Sequence, residues 1–160
     1  MCNGYQHNDS FPGSHPLAVG PLGYNGSKAA MELISKADVV LALGTRLNPF
    51  STLPGYGIDY WPKNATIIQV DMNPDRIGLT KKVTVGICGD AKQVTQQLLD
   101  KLSSDAGNAG REDRKNLIHK TKSAWLQKLA GLDHEEDDPG TVWNKEARER
   151  DKDRMSPRQA

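Results

Sequence analysis

The chain has 160 residues, enough for one domain with a packed core. Its 21 Lys and Arg against 20 Asp and Glu leave a formal charge of +1, which excludes a protein held to nucleic acid or an anionic membrane by bulk charge. No apolar run approaches the ~20 residues that span a bilayer, and two cysteines make no disulfide framework.

Charge is unevenly distributed. Residues 1–110 hold 18 charged side chains and residues 111–160 hold 23, while seven of the nine aromatics lie at or before Trp61. That contrast predicts a compact part followed by a solvated, charged tail, with 103–110 (Ser-Ser-Asp-Ala-Gly-Asn-Ala-Gly) as the flexible join. The first residues show neither a basic n-region nor an apolar h-region, so a cytoplasmic location is expected.

Residues 1–19 follow no period and read as an irregular entry segment. Gly20, Gly23 and Gly26 then form a G-x-x-G-x-x-G turn, with Asn25 or Ser27 as cap for the helix that follows. Ala30, Leu33, Ile34 and Ala37 recur at helical spacing and predict its buried face. Val39–Leu43 is a continuous apolar run ending at Gly44, the pattern of a parallel strand covered on both faces. The loop from Thr45 to Gly57 leaves the carboxyl end of that strand, where open α/β sheets bind ligands, and it is long for a strand–helix connection. Thr66–Asp71 and Val83–Ile87 predict two more strands. Cys88, at an apolar strand end, reads as a small buried residue. Gly89-Asp90 starts a helix with Ala91, Val94, Leu98 and Leu102 on one side. In the tail, Arg114 to Ala130 predicts a helix with Ile118, Trp125 and Leu129 on one face and Gly131 as its stop. The acidic run 133–138 and the charged stretch 145–154 have almost nothing to bury.

The chemistry-bearing residues are few. The glycine triplet is either a phosphate cradle or a tight turn; it is not the dinucleotide fingerprint, and it lacks the strand that would precede one. Arg46, after Gly44-Thr45, either meets an anionic ligand or forms a buried ion pair. Asp71 either takes a ribose hydroxyl or caps the turn beyond its strand, and Asp90 is first of all a helix N-cap. His7, His15, His119 and His134 have no metal-ligand spacing, and no nucleophile–base or paired-carboxylate arrangement is legible. These residues describe a nucleotide-type scaffold without catalytic machinery.

Read together, His15-Pro16, the glycine turn, Ala37 to Arg46, Ile67 to Pro74 with Ile77-Gly78, and Gly86 to Ala91 resemble the central domain of thiamine-diphosphate-dependent enzymes of the acetolactate-synthase type. The resemblance implies an α/β fold: part of a parallel-sheet, Rossmann-like domain over residues 1–104, then a helical, charged interdomain linker over 105–160. It implies that Met1 lies inside the central domain and that Ala160 stands at the threshold of the diphosphate-binding domain. Thiamine diphosphate and Mg²⁺ would be bound in the full-length enzyme by flanking pyrimidine- and diphosphate-binding domains, within a homo-oligomer. Gly89-Asp90-Ala91 lacks the glycine and asparagine of that family's metal motif, so no metal ligand is expected here. In relatives the central domain holds FAD or an ADP moiety. By position Gly20, Gly23, Gly26, Arg46, Asp71 and Asp90 would line such a pocket, here expected to be vestigial. Asn48 and Phe50 would line part of the substrate channel.

The runs Asn3 to Asp9, Leu47 to Gly57 and Asp75 to Gly86 are most similar to an acyltransferase branch of the group. Its reaction would convert a sulfonated aldehyde and phosphate into acetyl phosphate and sulfite, with this piece as scaffold and interface. The alternatives are acetolactate synthase or another FAD- or ADP-binding relative, and a free-standing nucleotide-binding module.

Overall fold

The computed structural model describes residues 1–4, 7–23, 26–55, 57–102 and 111–132. By contacts the chain divides into Met1–Thr121 and Lys122–Ala160. The first unit holds the sheet. In the second, the described residues are the latter half of a helix. The expected join at 103–110, the acidic run 133–138 and the 145–154 stretch lie outside the described residues.

Helix α1 covers Lys28–Ile34, and Ser27 caps it by accepting from the Ala30 amide at 3.3 Å. Ala29, Ala30 and Met31 are buried and Leu33 and Ile34 pack against the same core, so the predicted face holds for Ala30, Leu33 and Ile34 and is corrected only at Ala37. Ala37 lies beyond the helix end, and the short helix sinks its first turn deepest. Strands β1 (Val39–Leu43), β2 (Thr66–Asp71) and β3 (Val85–Cys88) form a parallel sheet in the order β1-β2-β3. The parallel links need long connections, and the 44–65 and 72–84 segments supply them.

β3 begins two residues later than predicted. Thr84 precedes the ladder: its amide donates to the Ile67 carbonyl and its hydroxyl accepts from the Ile67 amide at 3.2 Å. Cys88 is exposed rather than buried, because it ends an outer strand, and its thiol donates to the Met72 carbonyl at 3.6 Å.

The register puts Leu41, Ile68 and Val85 in one row on one face of the sheet. Helix α3 (Ala91–Leu102) packs against β2, where Val70 is fully buried. Leu41 and Val85 stay 43% and 44% exposed, and Val39 on the same face 52%. The expectation that β1 is covered on both faces is therefore corrected: Val39 and Leu41 stay exposed on that face, and only Leu43 is half-buried there. The other face carries a core of Ala42, Leu47 and Ile67, joined by Val40, Trp61, Ala65 and Val83. A second core gathers Val19, Leu22, Ala30, Met31 and Tyr60, with Cys2 and Ile118 against it. Tyr60 and Trp61, adjacent in the chain, thus serve different cores.

Asp90 caps α3 by accepting from the Gln93 amide at 2.9 Å. The α3 stripe is only half-buried, and Leu102 is exposed. Helix α4 runs Arg111–Leu132, longer at both ends than the predicted 114–130. Glu112 and Asp113 favour its amino end, and Glu112 pairs with Lys115 at 2.7 Å. Gly131 does not stop the helix. Its missing Cβ faces open space, and an interior glycine costs a helix only about 1 kcal/mol.

Candidate functional site

The three strands end at one rim, built from Gly44–Asn48 after β1, Asp71–Asn73 after β2 and Gly89–Asp90 after β3. The Gly44 amide donates to the Val70 carbonyl and the Gly89 amide to the Asp71 carbonyl, so the ladder reaches into the rim. Gly44 also lies against Ala91, where a Cβ would meet the alanine at 3.9 Å.

Arg46 is exposed and forms no ion pair among the described residues, so the buried-pair reading is corrected. Its carbonyl accepts from the Thr80 hydroxyl at 3.2 Å. Asp71 is buried, and its Oδ1 accepts from the Asn73 amide at 2.9 Å, closing a turn. Asp90 is engaged as the α3 cap.

On the loop after β1, helix α2 (Pro49–Thr52) is capped by Asn48, whose Oδ1 accepts from the Ser51 amide at 2.9 Å. The Thr52 hydroxyl returns to the Asn48 carbonyl at 3.1 Å. Ser51 and Thr52 are buried, while Phe50 is 61% exposed.

The glycine turn lies against this loop. Gly20 and Gly23 have φ of +90° and +111°. A Cβ on Gly20 would come within 2.9 Å of Ser27; on Gly23 it would collide with the Phe50 carbonyl oxygen; on Gly26 it would meet the Leu22 carbonyl carbon at 2.8 Å. At each of these glycines the chain itself packs where a side chain would stand. Asn25, the other cap candidate, lies outside the described residues. The structure joins Gly23 to Phe50 and Gly44 to the start of α3.

Two buried polar residues organise this region, and neither is among the predicted site residues. Gln69 is 1% exposed. Its Nε2 donates to the Thr45 carbonyl at 2.9 Å and the Arg76 carbonyl at 3.2 Å, and its Oε1 accepts from the Gly78 amide at 2.9 Å. One side chain thus clamps the loop after β1 to the turn after β2. The signal was present: a lone amide inside an apolar strand must find partners. Tyr60 is fully buried, and its hydroxyl donates to the Ser51 carbonyl at 2.9 Å. Only its place between two apolar stretches hinted at this.

Burial pushes the Tyr60 phenol up from its ordinary 10.0 to about 12. The neutral hydroxyl is the form that suits the fold, so its contribution is complete below pH 10.0 and is lost as pH rises through about 12. Between pH 9 and pH 11 the parent should lose ~1.4 kcal/mol more stability than Tyr60→Phe, read from urea midpoints. Parallel losses in both proteins would show that the phenol titrates freely.

Among the described residues no group of His, Cys, Asp and Glu can hold a metal ion. No helix is long and apolar enough to cross a membrane.

The family described as thiamine pyrophosphate enzyme, central domain, matches residues 1–98. The probable sulfoacetaldehyde acetyltransferase of Rhizobium meliloti (strain 1021) is 79% identical over 159 residues, 99% of this chain and 27% of that protein. The sulfoacetaldehyde acetyltransferase of Roseovarius nubinhibens is 73% identical over 160 residues, 100% of this chain and 26% of that protein. A more distant relative, the probable acetolactate synthase large subunit of Methanocaldococcus jannaschii, is 33% identical over 132 residues, 82% of this chain and 20% of that protein. The chain thus spans about a quarter of the length of these curated relatives.

Proposed function

The chain belongs to the thiamine pyrophosphate enzyme central-domain family, and from that premise we propose that it is the central-domain segment of a sulfoacetaldehyde acetyltransferase. The reaction is sulfoacetaldehyde plus phosphate giving acetyl phosphate and sulfite. The observation that carries this reading is identity of 79% and 73% along essentially the whole chain, against 33% to the acetolactate synthase.

Family membership implies thiamine diphosphate in the full-length enzyme. When bound, that cofactor supplies the nucleophilic carbon chemistry. In this reading thiamine diphosphate and Mg²⁺ would be held by the flanking pyrimidine- and diphosphate-binding domains of the full-length enzyme. This segment supplies a frame that holds Asn48 and Phe50 along the substrate path. Gly20, Gly23, Gly26, Arg46, Asp71 and Asp90 are read as a nucleotide-type pocket retained as scaffold. The glycines are used in close packing, and both carboxylates are used in a turn and a cap. We place the end of the central domain near residue 104, with a helical linker beyond it. The exposed row of Leu41 and Val85, beside Val39, suits burial by neighbouring parts of the full chain and of a homo-oligomer.

The test is the full-length protein supplied with sulfoacetaldehyde, phosphate, thiamine diphosphate and Mg²⁺. Acetyl phosphate and sulfite should form in equal amounts, and only with phosphate present. Acetolactate made from pyruvate, with no sulfite released, would overturn the substrate and leave the family in place.

A further inference from the structure

The free edge of β1 is unlike that of a strand built to face water. The Asp38 carbonyl accepts from the Thr66 amide at 2.8 Å, and the Gly44 amide donates to the Val70 carbonyl at 2.9 Å. With Val39 in register with Thr66, those bonds set the alternation along the strand. Val40 and Ala42 turn their amides and carbonyls to β2; Val39, Leu41 and Leu43 turn theirs outward. The Val39 amide is answered by Asp38 Oδ1 at 3.0 Å. β1 is last in the described sheet, so the outward groups of Leu41 and Leu43 have no ladder partner among the described residues.

Proteins blunt a free edge with charge, proline, a bulge or brevity. Val39–Leu43 is apolar throughout, and its five pairs with β2 run without a bulge. The β3 edge is treated differently: it has four residues with Gly86 among them, and Lys81 and Lys82 stand just ahead of it. An unguarded apolar edge is a template for another strand. A strand inside a parallel sheet is itself a nearly continuous apolar run. Residues 103–110 and 133–160 hold no three consecutive apolar residues, so they do not supply one. Two relatives are matched over only 27% and 26% of their length, which leaves ample chain to do so.

We propose that β1 is an interior strand in the full-length protein, its outward edge paired with a further parallel strand from another part of the same longer chain. This rests on reading these residues as a segment of a longer enzyme. Parallel pairing follows from the sheet, whose two existing pairs are both parallel. A second copy related by a twofold axis would instead set its β1 antiparallel to this one.

The experiment is hydrogen exchange on the unmodified full-length protein, read by mass spectrometry at single-residue resolution, with sulfite release assayed on the same preparation. The Leu41 and Leu43 amides should exchange at least about a hundredfold more slowly than unstructured amides, and within about tenfold of Val40 and Ala42. That protection should hold across dilution to the monomer. Fast exchange at Leu41 and Leu43, with Val40 and Ala42 still slow, marks a free edge and overturns the proposal. Protection that disappears on dilution overturns it in favour of a second copy. Protection in a protein that releases no sulfite supports the paired edge and overturns the substrate assignment alone.

Discussion

Gly23→Ala is expected to cost the full-length enzyme about 3–5 kcal/mol of stability, the sum of backbone strain and overpacking. The backbone at Gly23 has φ of +111°, a region closed to alanine without strain. The added methyl would collide with the Phe50 carbonyl oxygen and lie 3.2 Å from its carbon and 3.4 Å from the Ser51 Cα. All three are backbone atoms, so no side-chain rotation relieves the contact. Gly57→Ala separates the two effects. Its φ is +72° and nothing lies within 4 Å of the added methyl, so only the conformational cost of ~1–2 kcal/mol remains. Chemical denaturation of the two variants reads the difference directly. Equal losses would mean that the turn moves away from α2 freely. A stable Gly23→Ala protein that had lost affinity for a nucleotide would favour the phosphate-cradle reading of the triplet.

That triplet shows what a sequence can and cannot disclose. The spacing of Gly20, Gly23 and Gly26 announced close approach, but not to what. Here the approaching atoms are the chain's own: Ser27, the Phe50 carbonyl and the Pro21–Leu22 backbone. The β1 and β2 runs were legible because apolar continuity ending at Gly44 and at Asp71 has few other solutions. Their exposure was not. Whether Leu41 is covered depends on what lies across the sheet, and periodicity carries no record of that. The start of β3 was misplaced because the Thr84 hydroxyl replaces a ladder bond, which hydrophobicity does not register. Gly131 was misread for a related reason: glycine ends a helix where a left-handed turn follows, and here the backbone continues in the helical region. The placement of Arg46, Asp71 and Asp90 at or just beyond strand ends was legible from the apolar runs before them. Tyr60 and Gln69 act through side-chain hydrogen bonds inside the core, and only Gln69 stood out against its neighbours.

Gln69 is the more demanding of the two, since three backbone groups depend on it. Gln69→Leu keeps the side-chain bulk and leaves the Thr45 and Arg76 carbonyls and the Gly78 amide without this partner. Arg76 and Gly78 are exposed and recover part of the loss from water, so a cost of about 2–4 kcal/mol is expected rather than the sum of three fully buried orphans. Gln69→Glu should be worse at neutral pH. An ionised carboxylate still accepts from Gly78, but it turns an acceptor toward two carbonyl oxygens and carries a charge into a site that is 1% exposed. Burial and those carbonyls favour the protonated acid, which can donate to one of them, so the folded-state pKa is raised above the unfolded value. The stability so conferred is complete below the unfolded carboxyl pKa of ~4.3 and is lost as pH rises through the raised folded value. The gap between Gln69→Glu and Gln69→Leu should therefore widen from pH 5 to pH 7.5, with the Glu variant falling further behind in urea midpoint. A gap that stays constant over that range would show the carboxylate swung out to solvent, and the clamp between the loops after β1 and β2 would then be held by other contacts.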